Sequence, residues 1–272
     1  MAGARLRAES ATPAAGSAIP PDLPIAALDA LLRSMADDEF VIGFSDSEWT
    51  GIAPILEEDI AMSSLSQDEL GHAAALYGLL GELIGADPDS LAYDREPAGY
   101  RHARLLDHGR GDWAMTMARR YLYETADAVR LAALVGGPWA PLAGLVGKMI
   151  REERYHAMHV NAWLERLATA RGEPRARLET ALQTLAPDAA TVFTGLEGEA
   201  DLVRAGILSA PMTDLAERWH AAIDSTLGRL GLPIPPATPG APLDGRTDHG
   251  DPFGWLWSEF TLVRRSDPGA VW

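Results

Sequence analysis

Two segments of the sequence place a histidine three residues after a glutamate: Glu69 with His72, and Glu153 with His156. On a helix, residues i and i+3 lie on one face, so each pair can present a carboxylate and an imidazole to one point. Carboxylate oxygens and imidazole nitrogens suit iron and manganese. Each pair therefore indicates metal chemistry, but one such pair alone is weak support because this spacing often arises by chance.

Two further glutamates make the spacing more specific. Glu39 lies 30 residues before Glu69, and Glu124 lies 29 residues before Glu153. The repeat indicates two helical hairpins, each with one single glutamate and one Glu-x-x-His motif. This is the ligand pattern of carboxylate-bridged di-iron or di-manganese sites in helical bundles. The predicted metal ligands are Glu39, Glu69, His72, Glu124, Glu153 and His156, with no other catalytic residue.

The predicted ligand set also satisfies a charge requirement. Four carboxylates formally balance two divalent cations, whereas four like charges buried without metal cost several kcal/mol per ion. An acid precedes each Glu-x-x-His motif, Asp68 in one and Glu152 in the other. Each is placed to accept the second N–H of a ligating histidine and to fix its tautomer.

Three other acids remain alternatives as ligands. Asp37 and Asp38 flank Glu39, and either could take its place. Asp127 lies one helical turn beyond Glu124 and is the alternative there.

Other acids and histidines are predicted to lie outside the site. Residues 57–59 are acidic but lie about 16 Å from Glu69 along the helix, so we expect a solvated face. His159 follows His156 by three residues and is expected to be a surface group or a hydrogen-bonded core group. Four histidines have no partner at helical spacing and stay unassigned: His102, His108, His220 and His249.

Apolar residues recur at helical spacing, and the alternation that is typical of strands is missing. The fold class is predicted to be all-α, a ferritin-like four-helix bundle with additional C-terminal helices. A long connection over residues 85–111 between the second and third helices is typical of that bundle. The predicted bundle helices are 25–46, 54–85, 112–134 and 139–168, and the shorter ones are 175–194, 212–229 and 253–264.

The predicted domain organisation is simple. Residues 1–21 are rich in alanine, serine and proline and are expected to form a disordered tail. Residues 22–272 are expected to form a single domain, with the bundle at about 25–168 and the extra helices at about 174–265. The proline-rich segment at residues 231–242 is expected to be a surface loop or an arm that meets a partner.

Composition excludes several classes of function. The net charge of −16 disfavours nucleic acid and anionic membrane surfaces, and the absence of cysteine excludes thiolate-bound zinc and Cys-ligated iron–sulfur clusters. No uninterrupted apolar stretch is long enough to cross a membrane, so we expect a cytoplasmic protein. Because the chain has no cysteine to hold an iron–sulfur cluster, electrons for any oxygen chemistry must come from another protein.

The motifs resemble the ferritin-like subunits of phenylacetyl-CoA oxygenase, the PaaA/PaaC family. The shared segments are DEFVIGFSDSEW at 38–49 with AP at 53–54, QDELGH at 67–72, REERYH at 151–156 and WLERL at 163–167. Three C-terminal segments are similar to the PaaC branch: DHG at 248–250, WLWSE at 255–259 and PGAVW at 268–272.

The resemblance implies a multicomponent enzyme. A PaaA-type subunit holds two iron ions and uses O2 to insert one oxygen atom into the ring of phenylacetyl-CoA as an epoxide. Its electrons come from a separate reductase. A PaaC-type subunit is a structural partner of the same fold that has lost metal ligands. The present chain departs from this division, because its C-terminus is PaaC-like and its ligand set is complete.

We therefore expect a subunit of a di-iron oxygenase that acts on an aromatic acyl-CoA, with manganese as the alternative metal. The expected partners are a homologous PaaA/PaaC-type subunit or a second copy, a reductase and the acyl-CoA. The alternatives are a non-catalytic structural subunit, or an iron store or manganese catalase. An apolar pocket is expected near Trp113, Tyr121, Tyr123 and Tyr155.

Overall fold

The computed structural model describes residue 20, residues 22–236 and residues 243–267. Within these ranges it contains ten α-helices and no β-strand, which confirms the all-α prediction. Apart from residue 20, the predicted N-terminal tail lies outside the described residues, as do residues 237–242 of the proline-rich segment and the motif at 268–272. The helices are α1 (Ile25–Ser47), α2 (Leu56–Ile84), α3 (Pro88–Tyr93), α4 (Trp113–Leu134), α5 (Ala140–Thr169), α6 (Glu173–Leu185), α7 (Glu199–Arg204), α8 (Met212–Leu230), α9 (Asp251–Phe260) and α10 (Leu262–Ser266).

Four long helices form the ferritin-like bundle. Helix α1 packs along α2, α4 packs along α5, and α2 also contacts α5. Helices α6 and α8 pack on the outside of α4 and α5. The predicted bounds of the four bundle helices are confirmed to within two residues.

Local sequence explains where the bundle helices begin and end. The first turn of α2 carries three acidic residues, which the partial positive charge of a helix N-terminus favours. Helix α2 ends at Gly85, whose φ of +71° is the left-handed conformation that glycine adopts readily. Helix α4 begins after Asp112, whose side chain accepts a hydrogen bond from the backbone N–H of Met115 at 2.9 Å.

Helix α1 is buried on every side through its middle, residues 34–43. The connection between α2 and α4 and the C-terminal segment cover its outer face, where they meet Asp37 and Asp38. Gly43 lets α1 approach α2 closely, because a Cβ there would lie 2.9 Å from Leu70 Cγ. This close approach sets the distance between the helix that carries Glu39 and the helix that carries Glu69.

The structure differs from the sequence prediction outside the bundle. The predicted helix at 175–194 ends at Leu185, because Pro187 cannot continue it, and a short 3-10 turn (Ala189–Phe193) follows. The predicted helix at 253–264 is divided at Thr261 into α9 and α10. Helices α3 and α7, each six residues long, were not predicted because they are too short to show helical periodicity.

None of the helices in the described ranges is both long enough and apolar enough to span a membrane.

Candidate metal centre

The bundle brings all six predicted ligands together at its centre. Helix α1 supplies Glu39, and α4 supplies Glu124. The two Glu-x-x-His motifs lie on α2 and α5. All six residues are buried, and none of them is more than 8% exposed. The residues form two overlapping groups, one of Glu39, Glu69, His72 and Glu153 and the other of Glu69, Glu124, Glu153 and His156, and in each group the potential ligand atoms lie within 4.8 Å of one another.

The first group surrounds the Nδ1 atom of His72. Glu39 Oε2 lies 3.3 Å from this nitrogen, Glu153 Oε1 lies at 3.3 Å and Glu69 Oε2 at 3.7 Å. The buried Glu69 Oε2 and Glu153 Oε1 have no hydrogen-bond partner. Three carboxylate oxygens and one imidazole nitrogen therefore point at one small volume.

The second group repeats this pattern around the Nδ1 atom of His156. Glu69 Oε1 and Glu153 Oε2 each lie 3.3 Å from this nitrogen, and Glu124 Oε2 lies at 3.9 Å. His156 Nδ1 and Glu124 Oε2 are buried and have no hydrogen-bond partner.

Glu69 and Glu153 belong to both groups, and each divides its two oxygens between them. Glu69 presents Oε2 to His72 and Oε1 to His156, while Glu153 presents Oε1 to His72 and Oε2 to His156. A carboxylate with one oxygen in each of two neighbouring sites has the geometry of a bridge between two cations. Glu39 and Glu124, in contrast, each belong to one group.

The acids that precede the motifs bind the outer nitrogen of the histidine on the opposite helix. His72 Nε2 donates to Glu152 Oε2 at 2.8 Å, and His156 Nε2 donates to Asp68 Oδ2 at 3.3 Å. Helices α2 and α5 are therefore joined by two reciprocal hydrogen bonds. Each bond turns a histidine Nδ1 towards the glutamates, which is the arrangement that a metal-ligating histidine requires.

The four glutamates differ in acidity. Burial raises the pKa of Glu39 and Glu124 well above the usual range, and the charge of Glu69 adds to both shifts. Burial would also raise the pKa of Glu69 and Glu153. The two adjacent imidazoles outweigh the effect of burial, so the pKa of Glu69 is well below the usual range and that of Glu153 falls to about 2.

The pKa values of both histidines are raised. Burial alone would lower the pKa of both rings, but the neighbouring glutamates reverse the shift. These carboxylates raise the pKa of His72 well above its usual range and that of His156 to about 12. Without metal, protons on these rings offset part of the negative charge, and a bound cation must displace them.

One buried cation also contacts the cluster. Arg120 Nη2 donates to Glu69 Oε1 at 2.7 Å and to Glu124 Oε1, and Arg120 Nη1 donates to Asp46 Oδ2 at 2.7 Å. Arg120 is fully buried. Nothing in its spacing along the sequence marks this residue, and an arginine on an amphipathic helix is usually solvent-exposed, so it was not predicted.

The alternative ligands are engaged elsewhere. Asp37 accepts hydrogen bonds from Arg95 and Tyr77, and Asp38 binds two other arginines. Asp127 is paired with Arg130, its neighbour one turn along α4. None of the three acids belongs to either group. His159 also lies outside, where it is hydrogen-bonded to Glu58 at 2.6 Å.

Three of the four aromatic residues that were expected near the cluster lie in different surroundings. Tyr123 contacts the cluster, because its hydroxyl donates to Glu39 Oε1 at 2.8 Å. Trp113 instead packs edge-on against two other tryptophans, Trp49 and Trp163. The expectation for Tyr155 was wrong, since its side chain is 72% exposed. At helical spacing, Tyr155 follows Glu153 by two residues and so points away from the bundle centre.

The donor set fits two hard divalent cations. Each group offers three carboxylate oxygens and one imidazole nitrogen, which suits iron or manganese. Four of the buried polar atoms without hydrogen-bond partners belong to these two groups: Glu69 Oε2, Glu124 Oε2, Glu153 Oε1 and His156 Nδ1. Unsatisfied buried polar atoms are rare and usually have a functional or structural reason. A cation in each group would satisfy all four atoms.

A second cluster of possible ligands joins His102, Asp107 and His249. The two imidazole rings are stacked, with their centroids 4.1 Å apart and an angle of 11° between their planes. A ligating imidazole directs its lone pair in the plane of its ring, so two stacked parallel rings cannot both point at one ion. The geometry therefore favours a hydrogen-bonded clamp rather than a metal site.

The clamp fastens the C-terminal segment to the connection that precedes α4. His102 Nε2 donates to Asp107 Oδ1 at 2.5 Å, and His249 Nδ1 lies 3.2 Å from the same oxygen. The backbone N–H of Gly250 donates to Asp107 Oδ2 at 2.8 Å. No pattern in the sequence predicted this contact, because the histidines lie far apart along the chain.

The clamp predicts a dependence of stability on pH. Burial lowers the pKa of His102, although the hydrogen bond to Asp107 opposes the shift. A lowered pKa in the folded state means that the contribution of His102 is complete above its unfolded value of about 6.5. That contribution is lost as the pH falls towards the folded value.

We expect His102→Gln, which keeps an N–H donor but does not titrate, to be less stable than the wild type by about 1–3 kcal/mol near pH 7.5. The difference should narrow near pH 5, because only the wild type loses a contribution from His102. Urea unfolding at the two pH values measures this. A difference that stays constant would show that His102 does not titrate as proposed.

Comparison with known proteins gives the relationships of the chain. Residues 15–272 match the family model PaaA_PaaC, described as phenylacetic acid catabolic protein. A curated relative, the C subunit of 1,2-phenylacetyl-CoA epoxidase from Escherichia coli strain K12, is 28% identical over 246 residues. The alignment covers 90% of this chain and 99% of the relative.

Proposed function

The chain belongs to the phenylacetic acid catabolic protein family, and on that premise we propose that it is a subunit of a multicomponent oxygenase that acts on phenylacetyl-CoA. In this proposal its buried cluster holds two divalent metal ions, with iron as the first choice and manganese as the alternative. One observation carries the metal assignment: Glu69 and Glu153 each direct one oxygen towards each of the two histidines.

The proposed ligands are the six residues of the two groups. When bound, the metal pair would activate O2 with electrons from a separate reductase, since a chain without cysteine cannot supply an iron–sulfur cluster of the Cys-ligated kind. The protein's own part is to exclude water from the cluster and to keep its donors in place. Asp68 and Glu152 orient the histidines, and Tyr123 holds the outer oxygen of Glu39.

The proposed partners follow from the same premise. They are a homologous PaaA/PaaC-type subunit or a second copy of this chain, a reductase, and the acyl-CoA substrate. We also propose that residues 22–272 act as one domain within that complex.

A non-catalytic structural role is the second candidate, and a specific contact favours it. Arg120 already neutralises part of the charge of Glu69 and Glu124, as expected of a subunit that folds without a full complement of metal. The two candidates are distinguished by assembling the chain with its homologous partner subunit and a reductase. Under the catalytic proposal, His72→Ala in this chain abolishes epoxidation of phenylacetyl-CoA. Under the structural one, activity survives this substitution.

The metal assignment has a direct test. We expect the wild type, loaded with Fe(II) without oxygen and then desalted, to retain at least about one iron per chain by elemental analysis. His72→Ala should lower the retained iron, because it removes the nitrogen donor from the group that also contains Glu39. Loss of an outer hydrogen-bond partner of a ligand typically costs about 10- to 100-fold in metal affinity, so loss of the donor itself should cost at least as much.

His159→Ala is the matched control, because it also removes an imidazole, but one that contacts Glu58 outside the cluster. It should retain as much iron as the wild type. A wild type with no retained iron, or equal losses in the two variants, would overturn the metal assignment.

A further inference from the structure

The two groups of ligands are similar in donors but differ in their surroundings. The only guanidinium hydrogen-bonded to the four cluster glutamates, among the described residues, is that of Arg120. It contacts Glu69 Oε1, the oxygen that faces His156, and Glu124, which belongs only to the group around His156. The atoms that face His72 have no such cation beside them.

In the group around His72, the comparable contact is neutral. The hydroxyl of Tyr123 donates to Glu39 Oε1, while Oε2 is the atom nearer to His72. A phenol supplies a hydrogen bond without a net charge, so it holds the carboxylate in place and leaves its negative charge for a cation. In the group around His72, no arginine contacts Glu39 or Glu153, and Glu69 presents to His72 the oxygen that Arg120 does not contact.

Arg120 must either be displaced or share its partners when a cation enters the group around His156. Its guanidinium is fully buried, and a metal ion in that position would place a second positive charge close to it. Because the two positive charges repel each other and share the same two carboxylates, Arg120 weakens the binding of the metal ion. Asp46, which also binds Arg119, helps to keep Arg120 where it is.

We infer that Arg120 is an internal counter-ion that makes the two metal positions unequal. This inference rests on the proposed metal-binding function and adds an order to it. The position formed by Glu39, Glu69, His72 and Glu153 fills first. The position that contains Glu124 and His156 binds at least about 10-fold more weakly, and the chain stays folded when that position is empty.

The test uses Mn(II) alone as the probe and the full chain as the protein. Calorimetric titration, with electron paramagnetic resonance to count bound Mn(II), should show one tight site and one weaker site in the wild type. Arg120→Met should raise the affinity of the weaker site by about 10-fold or more. The metal-free variant should also melt at a lower temperature than the wild type, and Mn(II) should restore most of the difference.

Arg119→Met is the matched control. Arg119 is the adjacent buried arginine and binds Asp46, but it does not contact the cluster glutamates. It should lower the melting temperature without changing the ratio of the two affinities. An equal effect of the two substitutions on that ratio would overturn the role assigned to Arg120.

Two ligand substitutions decide the order even if Arg120→Met does not fold. Glu39→Gln should weaken the tight site by about 10-fold or more, whereas Glu124→Gln should leave it unchanged. The reverse result, or two equal sites in the wild type, would overturn the inference while the proposed metal centre stands. Absence of Mn(II) binding in the wild type and in every variant would overturn both.

Discussion

Replacing Glu153 with glutamine should weaken divalent-metal binding at both positions by about 100-fold or more, which corresponds to about 2.7 kcal/mol. Glu153 gives one oxygen to the group around His72 and the other to the group around His156. A neutral amide has one oxygen acceptor, and its N–H2 group would face the second cation. No neighbouring carboxylate can replace the lost bridge, because Glu69 already divides its own oxygens in the same way.

Glu152, which precedes Glu153, provides a comparison in which a smaller loss of metal affinity is expected. Glu152→Gln changes a side chain that contacts only the outer nitrogen of His72 among the cluster residues. It should weaken the position around His72 by about 10- to 100-fold and leave the other position nearly unchanged. Titration of both variants with Mn(II) measures the difference. If Glu153→Gln affected one position alone, Glu153 would be an ordinary ligand and not a bridge.

The spacing of glutamate and histidine predicted the residues that meet at the bundle centre. The prediction worked because helical periodicity is local. A motif such as Glu69–His72 reports which face of its own helix is functional, and a hairpin with a known ligand pattern brings two such faces together. The lengths of α2 and α5 were predictable for the same reason, since Gly85 and residues 136–138 interrupt the apolar pattern.

The buried arginines could not be predicted in this way. Arg120 and Arg130 look like ordinary solvated residues of an amphipathic helix, and only tertiary packing shows that both point inward. The burial of Arg246 is even harder to predict from the sequence, because this residue lies in the C-terminal segment and binds Asp38 on α1. Contacts between residues so distant along the chain depend on how the connection and the C-terminal segment fold over α1, which periodicity does not encode.

Two of these arginines, Arg246 in the C-terminal segment and Arg130 on α4, connect their segments to the cluster through Asp38. Arg246 and Arg130 both bind Asp38, which directly precedes the ligand Glu39. Arg130 also lies 3.4 Å from the hydroxyl of Tyr123, which donates to Glu39. The position of Glu39 therefore depends on the C-terminal segment as well as on α1. Substitution of Asp38 should therefore affect both the stability of the fold and the position of Glu39.

Asp38→Asn should lower the free energy of unfolding by about 3–5 kcal/mol, a large share of the usual 5–15 kcal/mol. Burial would raise the pKa of Asp38, but Arg246 and Arg130 outweigh it and lower the pKa. The carboxylate therefore stabilises the fold above its unfolded pKa of about 3.9, and this contribution is lost as the pH falls through the folded value.

An asparagine at this position leaves two buried guanidinium groups with an amide in place of their shared anion. Asp29→Asn is the control, because Asp29 pairs with Arg33 at the partly exposed start of α1 and should contribute no more than about 1 kcal/mol. Urea unfolding of the metal-free proteins near pH 7.5 compares the two. Equal losses would mean that the two arginines find other partners without Asp38, and the fold would then not depend on this ion cluster to position Glu39.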